Sequence, residues 1–413
     1  MTEATTLRQD ADEIIAAALR AVQPDAAVRR ALENRTFPGR IVLVAAGKAA
    51  WRMAGAAADT LGSRIEAGVV VTKYGHVMGK IANFSCFEAG HPVPDENSFR
   101  GTQAALELIA GLGERDTVLF LLSGGGSALF EKPLIPSEQL QALTQQLLAS
   151  GADIVEINTI RKRLSAVKGG RFAQLCAPAR VFSVVLSDIL GDPLDMIASG
   201  PACADKSSCE QALAIVKKYG LRLSAGAMAL LGQETPKILE NVETRITGSV
   251  RELCDAAGGT CRRLGYETVL LTDRLSCQAR EAGSFLAAIL RTHAADGRRL
   301  AYLAGGETVV RLSGKGRGGR NQELALAAAE GLEGLNAAIF SVGSDGSDGP
   351  TDAAGGYADG RTLASLRAKG LSVYDVLADN DAYPALLAVG GLIFTGPTGT
   401  NVNDVAVGLL RAE

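Results

Sequence analysis

The chain has 413 residues, 47% hydrophobic and 21% charged, with 48 glycines; this length exceeds one comfortable core and implies about two or three domains, and the apolar content excludes a disordered chain. Lys and Arg total 42 against 45 for Asp and Glu, a formal charge of -3, so the balance points to neither a nucleic-acid nor an anionic-membrane partner. Seven cysteines form no C-x-x-C pair and there are only three histidines, which argues for a reduced, cytoplasmic protein without structural zinc; any metal should be oxygen-bound magnesium. The start of the chain lacks a basic patch followed by an apolar core, and no apolar run approaches the ~20 residues that span a bilayer.

From Leu7 to Val22 the apolar positions follow helical spacing, and Pro24 stops them. The run Ile41 to Ala45, the turn Gly47-Lys48 and the Ala-rich stretch from Ala49 to Thr60 read as strand, turn and helix. The same grammar recurs at Val69 to Thr72, at Val118 to Leu122 ending in Ser123-Gly124-Gly125-Gly126, and at Val181 to Leu186 ending in Ser187-Asp188. Helical patterns cover Glu96 to Leu112 and Ser137 to Leu148. Strands covered by helices on both faces read as unbroken apolar runs, so the pattern predicts an α/β fold with a doubly wound parallel sheet. Ligands of such sheets bind beyond the carboxyl ends of the strands, and the turns should carry function.

The pattern lapses into a polar segment from Glu234 to Ser249, which places a boundary near residue 240 and domains at 1–240 and 241–413. The second half is again α/β, with helices at Cys277 to Ala294 and Asn321 to Ala329. Its strands are expected at Arg299 to Ala304, Thr308 to Leu312, Ala338 to Val342 and Leu392 to Thr395.

Several turns could carry chemistry. The loop Ser313 to Arg320 interleaves four glycines with Lys315, Arg317 and Arg320 ahead of Asn321; it reads as an anion cradle, or as an exposed hairpin tip. Gly314, Gly316 and Gly319 formally fit G-x-G-x-x-G, but this lies late in the chain, and Glu333 is not at a strand end where a ribose partner belongs. Asp345, Asp348 and Asp352 crowd one turn, which suits magnesium or a base, or else a solvated turn. Asp188, with Asp192 close by, sits where a crevice would open and is a metal ligand, a proton acceptor or a helix cap. Backbone amides of Ser123 to Ser127 could wrap a phosphate. Lys48 follows the first strand, but no P-loop precedes it. Arg161, Lys162, Arg163, Lys168 and Arg171 read mostly as a solvated face, with some left to hold substrate. Thr398, Asn401 and Asn403 lie in a turn that either closes over a ligand or ends a domain.

Together these motifs resemble the class II glycerate kinases, which end in a MOFRL-type domain. The likeness rests on AAGKAA from Ala45, EAGHPVPDENS from Glu88, LLSGGGSAL from Leu121 and INTIRKRLSAVKGGR from Ile157. It continues through LSDILGDPLDMIASGP from Leu186, GGETVVRLSGKGRGGRNQE from Gly305, GSDGSDGPTDAAG from Gly343 and TGPTGTNVND from Thr395. The resemblance implies a larger Rossmann-like domain and a smaller MOFRL-type domain with the active site in the cleft between them. It implies transfer of phosphate from ATP to the 2-hydroxyl of D-glycerate with Mg2+, and leaves room for a homo-oligomer. Lys48 and Arg320 resemble the family's basic pair, and Asp188 would bind magnesium or take the hydroxyl proton. Ser123, Gly124, Gly125, Gly126, Ser127, Arg161, Lys315, Arg317, Asn321, Thr398, Asn401 and Asn403 would line the substrates, and Asp192, Asp345 and Asp348 the metal. Some family members carry the name hydroxypyruvate reductase, so NAD(P)H-dependent reduction is the alternative; it needs a nicotinamide site and a proton donor that this pattern does not display.

Overall fold

The computed structural model describes residues 6–191 and 193–412. Contacts divide the chain into two compact units, Pro24–Thr247 and a second made of the chain up to Gln23 together with that from Gly248 onward. The sequence reading kept the opening helix with residues 1–240; here it joins the second unit and the division falls at Thr247. The helix, Leu7–Ala21, starts at a capping box in which Thr6 and Gln9 satisfy each other's backbone donors. Its buried Asp10 accepts from the Tyr266 hydroxyl and from Arg411 Nη2 at 2.6 Å, with Arg299 at 3.6 Å. A buried carboxylate needs such partners, and all three belong to the second unit.

The unit Pro24–Thr247 is built on six strands, β1 (Ile41–Ala46), β2 (Ile65–Lys73), β3 (Phe84–Ala89), β4 (Thr117–Leu122), β5 (Arg180–Val185) and β6 (Val242–Ile246). All are parallel, in the order β3-β2-β1-β4-β5-β6. Every residue of β1 and β4 is buried, because each strand feeds two cores. Val42, Val44 and Phe120 pack on one face with Phe130 and Phe172. Leu43, Ala45, Leu119 and Leu121 pack on the other with Met53 and Phe182. That two-sided burial is why the sequence showed apolar runs instead of alternation. β6 went unread because it is a half-exposed edge strand, VETRI, paired to β5 alone.

The strand order reverses between β1 and β4, so connections leave these neighbours in opposite directions and open a crevice at their carboxyl ends. Two tight turns fill that position. Gly47, at φ +124°, lets the turn after β1 lie against Ser123; a Cβ there would stand 2.2 Å from Ser123 Oγ.

The second unit holds β7 (Glu267–Leu275), β8 (Leu300–Gly306), β9 (Ala337–Gly343), β10 (Gly355–Asp359), β11 (Leu392–Ile393) and β12 (Asp404–Leu410), in the order β11-β10-β9-β12-β8-β7. Only β7 and β8 run parallel; the other neighbours are antiparallel. β12 lies fully buried between β8 and β9, pairing Asp404 with both Gly306 and Gly343. The strand expected at Thr308 to Leu312 does not form. Val309 makes one isolated bridge to Gln278 and Leu312 is 81% exposed, because the following backbone turns to the 379–381 segment for its partners. The helices expected near 277 and 321 run Ala279–Thr292 and Arg320–Leu332.

Gly47→Ala should destabilise the protein by more than about 1 kcal/mol, because the substitution adds both positive-φ strain and a clash; denaturant unfolding of the purified variant measures it, and an unchanged midpoint and slope would refute the close approach.

Candidate active site

In the first unit the carboxyl ends of β1 and β4 are stitched together. The Lys48 N–H donates to Gly124 O at 2.9 Å and the Ala49 N–H to Ser123 Oγ at 3.0 Å, while the Ser123 N–H returns to Ala46 O at 3.0 Å. In the loop so held, the Gly126 N–H is taken by Ser123 O at 3.3 Å. No acceptor among the described residues takes the N–H of Gly124, Gly125 or Ser127. Three open donors on one tight turn form a concavity suited to an anion.

The loop is braced from behind. Lys168 Nζ donates to Ser127 O at 2.8 Å and Phe130 O at 3.0 Å and pairs with Glu131 at 3.3 Å. Lys168 and Glu131 are both buried, and burial pushes the lysine down to about 8. Arg161 Nη2 also donates to Ser127 O, at 3.1 Å, so this guanidinium braces the turn. The reading of a solvated cationic face fails. Lys162 and Arg163 are buried; Lys162 bonds Asp195 and Asp205 at 3.2 Å each, and Arg163 reaches Glu234 at 3.3 Å. Ser127 Oγ meets Ser199 Oγ at 3.1 Å, and Ser199 donates to Asn158 Oδ1 at 2.8 Å. Ser199 and Ala198 hold φ of 62° and 50°, a conformation that costs non-glycine residues energy and clusters at functional sites.

Around the open donors stand Lys48, Asp188 and two histidines. Asp188 lies beside Gly124, its Oδ2 2.2 Å from where a Cβ on that glycine would be. His76 Nδ1 is 2.8 Å from Lys48 O. His91 borders Gly125, and burial followed by the charges of Lys48, Lys73 and His76 holds its pKa below the ordinary imidazole value.

The second unit gathers its polar groups where β8 and β9 end and β12 begins. Arg320 opens the helix Arg320–Leu332 and grips Asp404 through Nε at 2.5 Å and Nη2 at 3.0 Å, while Nη1 reaches Glu307 at 3.1 Å. Burial alone would lower the arginine pKa, but Asp404 and Glu307 raise it, so the charge is fixed. Burial raises Asp404 and Arg320 opposes that rise. Asn403 Nδ2 donates to Glu307 at 3.2 Å, and the Asn403 N–H to Asn401 Oδ1 at 3.3 Å. The Thr398 hydroxyl donates to Ser344 O at 2.5 Å and its N–H to Asp345 O at 3.2 Å. Arg320, Asp345, Thr398, Asn401 and Asn403 therefore share one sheet edge.

The first part of the glycine-rich loop is closed against the 379–381 segment and is no anion cradle. Its N–H groups are spent: Ser313 and Gly314 donate to Asn380 Oδ1, Lys315 to Asp379 Oδ1, Gly316 to Asp379 O and Arg317 to Asp381 Oδ1, whereas no acceptor among the described residues takes those of Gly318, Gly319 and Arg320. The glycines serve close backbone packing, since a Cβ on Gly314 would stand 2.3 Å from Asp379 Cα. Arg317 stacks on the Tyr383 ring at 4.4 Å, and Lys315 is exposed. Asp348 is a helix cap rather than a metal ligand. Buried, it accepts from the N–H groups of Asn321 and Gln322 at 3.1 and 2.9 Å and from Asn321 Nδ2 at 3.2 Å. Asn321 Oδ1 accepts from Ser341, so its side chain is spent inside the fold and does not hold substrate. Asp345 accepts from the Ser347 N–H at 2.9 Å. Asp192 lies outside the described residues. Among the described residues no group of three or more His, Cys, Asp or Glu is placed to hold a metal.

Sequence reasoning passed over Asp404, Glu307, Lys168, Glu131, His76 and His91. The first two stood inside quoted motifs with no role; Lys168 looked like any other cation of a basic helix, and Glu131 carried no local signal at all.

Residues 10–232 match the model described as a domain of unknown function, DUF4147, and residues 300–404 that of the MOFRL family. The chain is 52% identical to a D-glycerate 2-kinase of Thermotoga maritima over 99% of this chain and all of that one. A crystal structure of glycerate kinase from Thermotoga maritima superposes with a TM-score of 0.93, covering 98% of this chain and 99% of the other. A protein of Agrobacterium vitis provisionally named hydroxypyruvate reductase is 39% identical over 96% of this chain and 93% of its own. An α/β chain with a doubly wound parallel sheet, a second mixed sheet and both family regions thus belongs to the glycerate kinase family.

Lys168→Met should cost about 3–5 kcal/mol, because it leaves the Glu131 charge buried without its ammonium. The double variant Lys168→Met, Glu131→Leu should recover much of that loss. A double-mutant unfolding cycle measures both, and additive losses would deny the pair its coupling.

Proposed function

We infer that the protein is a glycerate 2-kinase, transferring the terminal phosphoryl group of ATP to the 2-hydroxyl of D-glycerate. The observation that carries this reading is the turn at Ser123 to Ser127, with the N–H groups of Gly124, Gly125 and Ser127 open beside Lys48 and Asp188. Phosphoryl transfer asks little covalent chemistry of a protein; it needs positioned donors and fixed positive charge for the phosphate oxygens. Backbone N–H groups supply donors that need no reorganisation, and Lys48 adds a point charge. Arg320, held by Asp404 and Glu307, supplies a planar cation suited to a carboxylate or a phosphoryl group. Thr398, Asn401 and Asn403 lie near it as neutral hydrogen-bonding groups.

Magnesium is usually bound through one or two carboxylates plus substrate phosphates rather than by an all-protein cage. That habit fits the residues present: Asp188, beside the open donors of the first unit, is the carboxylate that would hold it. Bound there, the metal would neutralise charge on the phosphate oxygens. The seven cysteines, all free, support a cytoplasmic location, and no helix among the described residues is long and apolar enough to cross a membrane.

Reduction by a nicotinamide cofactor fares worse on these residues. The G-x-G-x-x-G run follows no strand directly, β8 having ended at Gly306, and the N–H groups of Gly314 to Arg317 are taken by the 379–381 segment. The first βα turn of the parallel sheet, where a dinucleotide fingerprint belongs, reads Gly47-Lys48-Ala49-Ala50.

Lys48→Ala and Arg320→Ala should each lower kcat with glycerate, ATP and magnesium by two or more orders of magnitude, with thermal unfolding near that of the parent. Wild-type turnover in either variant removes that residue from the mechanism, and NADH oxidation with hydroxypyruvate without ATP consumption would replace the kinase reading altogether.

A further inference from the structure

We propose that His91 is the proton acceptor for the 2-hydroxyl of glycerate, an assignment that rests on the kinase reading above. His91 sits on the turn between β3 and the helix Glu96–Ile109, at the carboxyl edge of the parallel sheet. Its Cδ2 and Nε2 stand 3.0 and 3.1 Å from the point a Cβ on Gly125 would occupy, and Lys48 Cγ is 3.2 Å from the same point. The ring therefore abuts the turn whose N–H groups at Gly124, Gly125 and Ser127 are open to an anion, on the side that carries the lysine.

The three histidines differ in what they hold. His76 Nδ1 is engaged with Lys48 O at 2.8 Å and His293 Nδ1 with Asp296 at 2.7 Å. Neither ring nitrogen of His91 has a hydrogen-bond partner among the described residues. A half-buried imidazole with both nitrogens unspent, beside an anion-binding turn, is poised to meet a ligand.

Its surroundings keep it neutral. Burial comes first, then the charges of Lys48, Lys73 and His76, all of which disfavour the imidazolium. The neighbouring carboxylates are committed: Asp95 caps the helix Glu96–Ile109 and accepts from the Tyr74 hydroxyl at 2.8 Å, and Glu88 accepts from the Val77 N–H at 3.0 Å. Asp188 stands at Gly124. A neutral imidazole is the form that can take a proton near pH 7.

In the step itself the O–H bond of the 2-hydroxyl breaks and its proton passes to a ring nitrogen of His91. The freed oxygen pair forms the bond to the γ-phosphorus, the bond from that phosphorus to the β,γ-bridging oxygen breaks, and its electrons leave with ADP. His91 then returns the proton to water.

General-base assistance contributes about 10²–10⁴-fold, so His91→Gln should lower kcat by that factor with the KM for ATP little changed. The kcat of the parent should fall as pH drops through a value below the ordinary imidazole range, because protonation removes the base. That acid limb should vanish in His91→Gln, and free imidazole should restore part of the turnover of His91→Ala. Either a His91→Gln enzyme with parental kcat and its acid limb intact, or an Asp188→Asn enzyme that alone loses the limb, overturns the assignment. A parent inert toward glycerate, ATP and magnesium fails differently, by overturning the kinase reading on which His91 depends.

Discussion

The contact on which the first unit depends is the junction of the turns after β1 and β4, where the Lys48 N–H meets Gly124 O and the Ala49 N–H meets Ser123 Oγ. Two central strands, buried on both faces, deliver their turns to the same place, and Gly47 lets them touch without a side chain between. Once joined, the turns satisfy each other's inner polar groups and leave the outer N–H groups of Gly124, Gly125 and Ser127 facing outward. A buried polar group must find a partner, so the donors that remain open are those at which the structure can accept a ligand.

Charge is distributed by the same logic. Most cations of the Ile157 to Arg171 segment are spent on internal carbonyls and carboxylates: Lys168 on Ser127, Phe130 and Glu131, Lys162 on Asp195 and Asp205, Arg163 on Glu234. Burial of such charges is tolerated only because each is paired, and Lys168 in turn holds the Ser127 carbonyl of the turn. The Ser313 to Arg320 loop shows the converse. Its glycines and cations look ready for an anion, yet Asp379, Asn380 and Asp381 already occupy the donors of Ser313 to Arg317. The loop ends at Arg320, held by Asp404 and Glu307 at the sheet edge.

The parallel sheet was legible because a strand covered on both faces is apolar along nearly its whole length, as β1 and β4 are. Lys48, Asp188 and the Ser123 to Ser127 turn were legible for a related reason: polar residues that directly follow such strands sit at the edge where ligands bind. β12 and its Asp404 were missed as a strand because the segment leads out of a glycine-rich turn and pairs antiparallel with partners far away in sequence. The opening helix showed its stripe but not its destination, since Asp10 finds Tyr266 and Arg411 only in the folded chain.

By itself the sequence determined the class of fold and the family to which the chain belongs, because hydrophobic period and short motifs are local properties. Tertiary structure alone decided which polar groups are spent and which remain open. Lys168 and Lys48 are alike as letters, as are His76 and His91. The difference between them lies in which carbonyl or carboxylate stands opposite, and that partner is brought there by strands and helices distant along the chain.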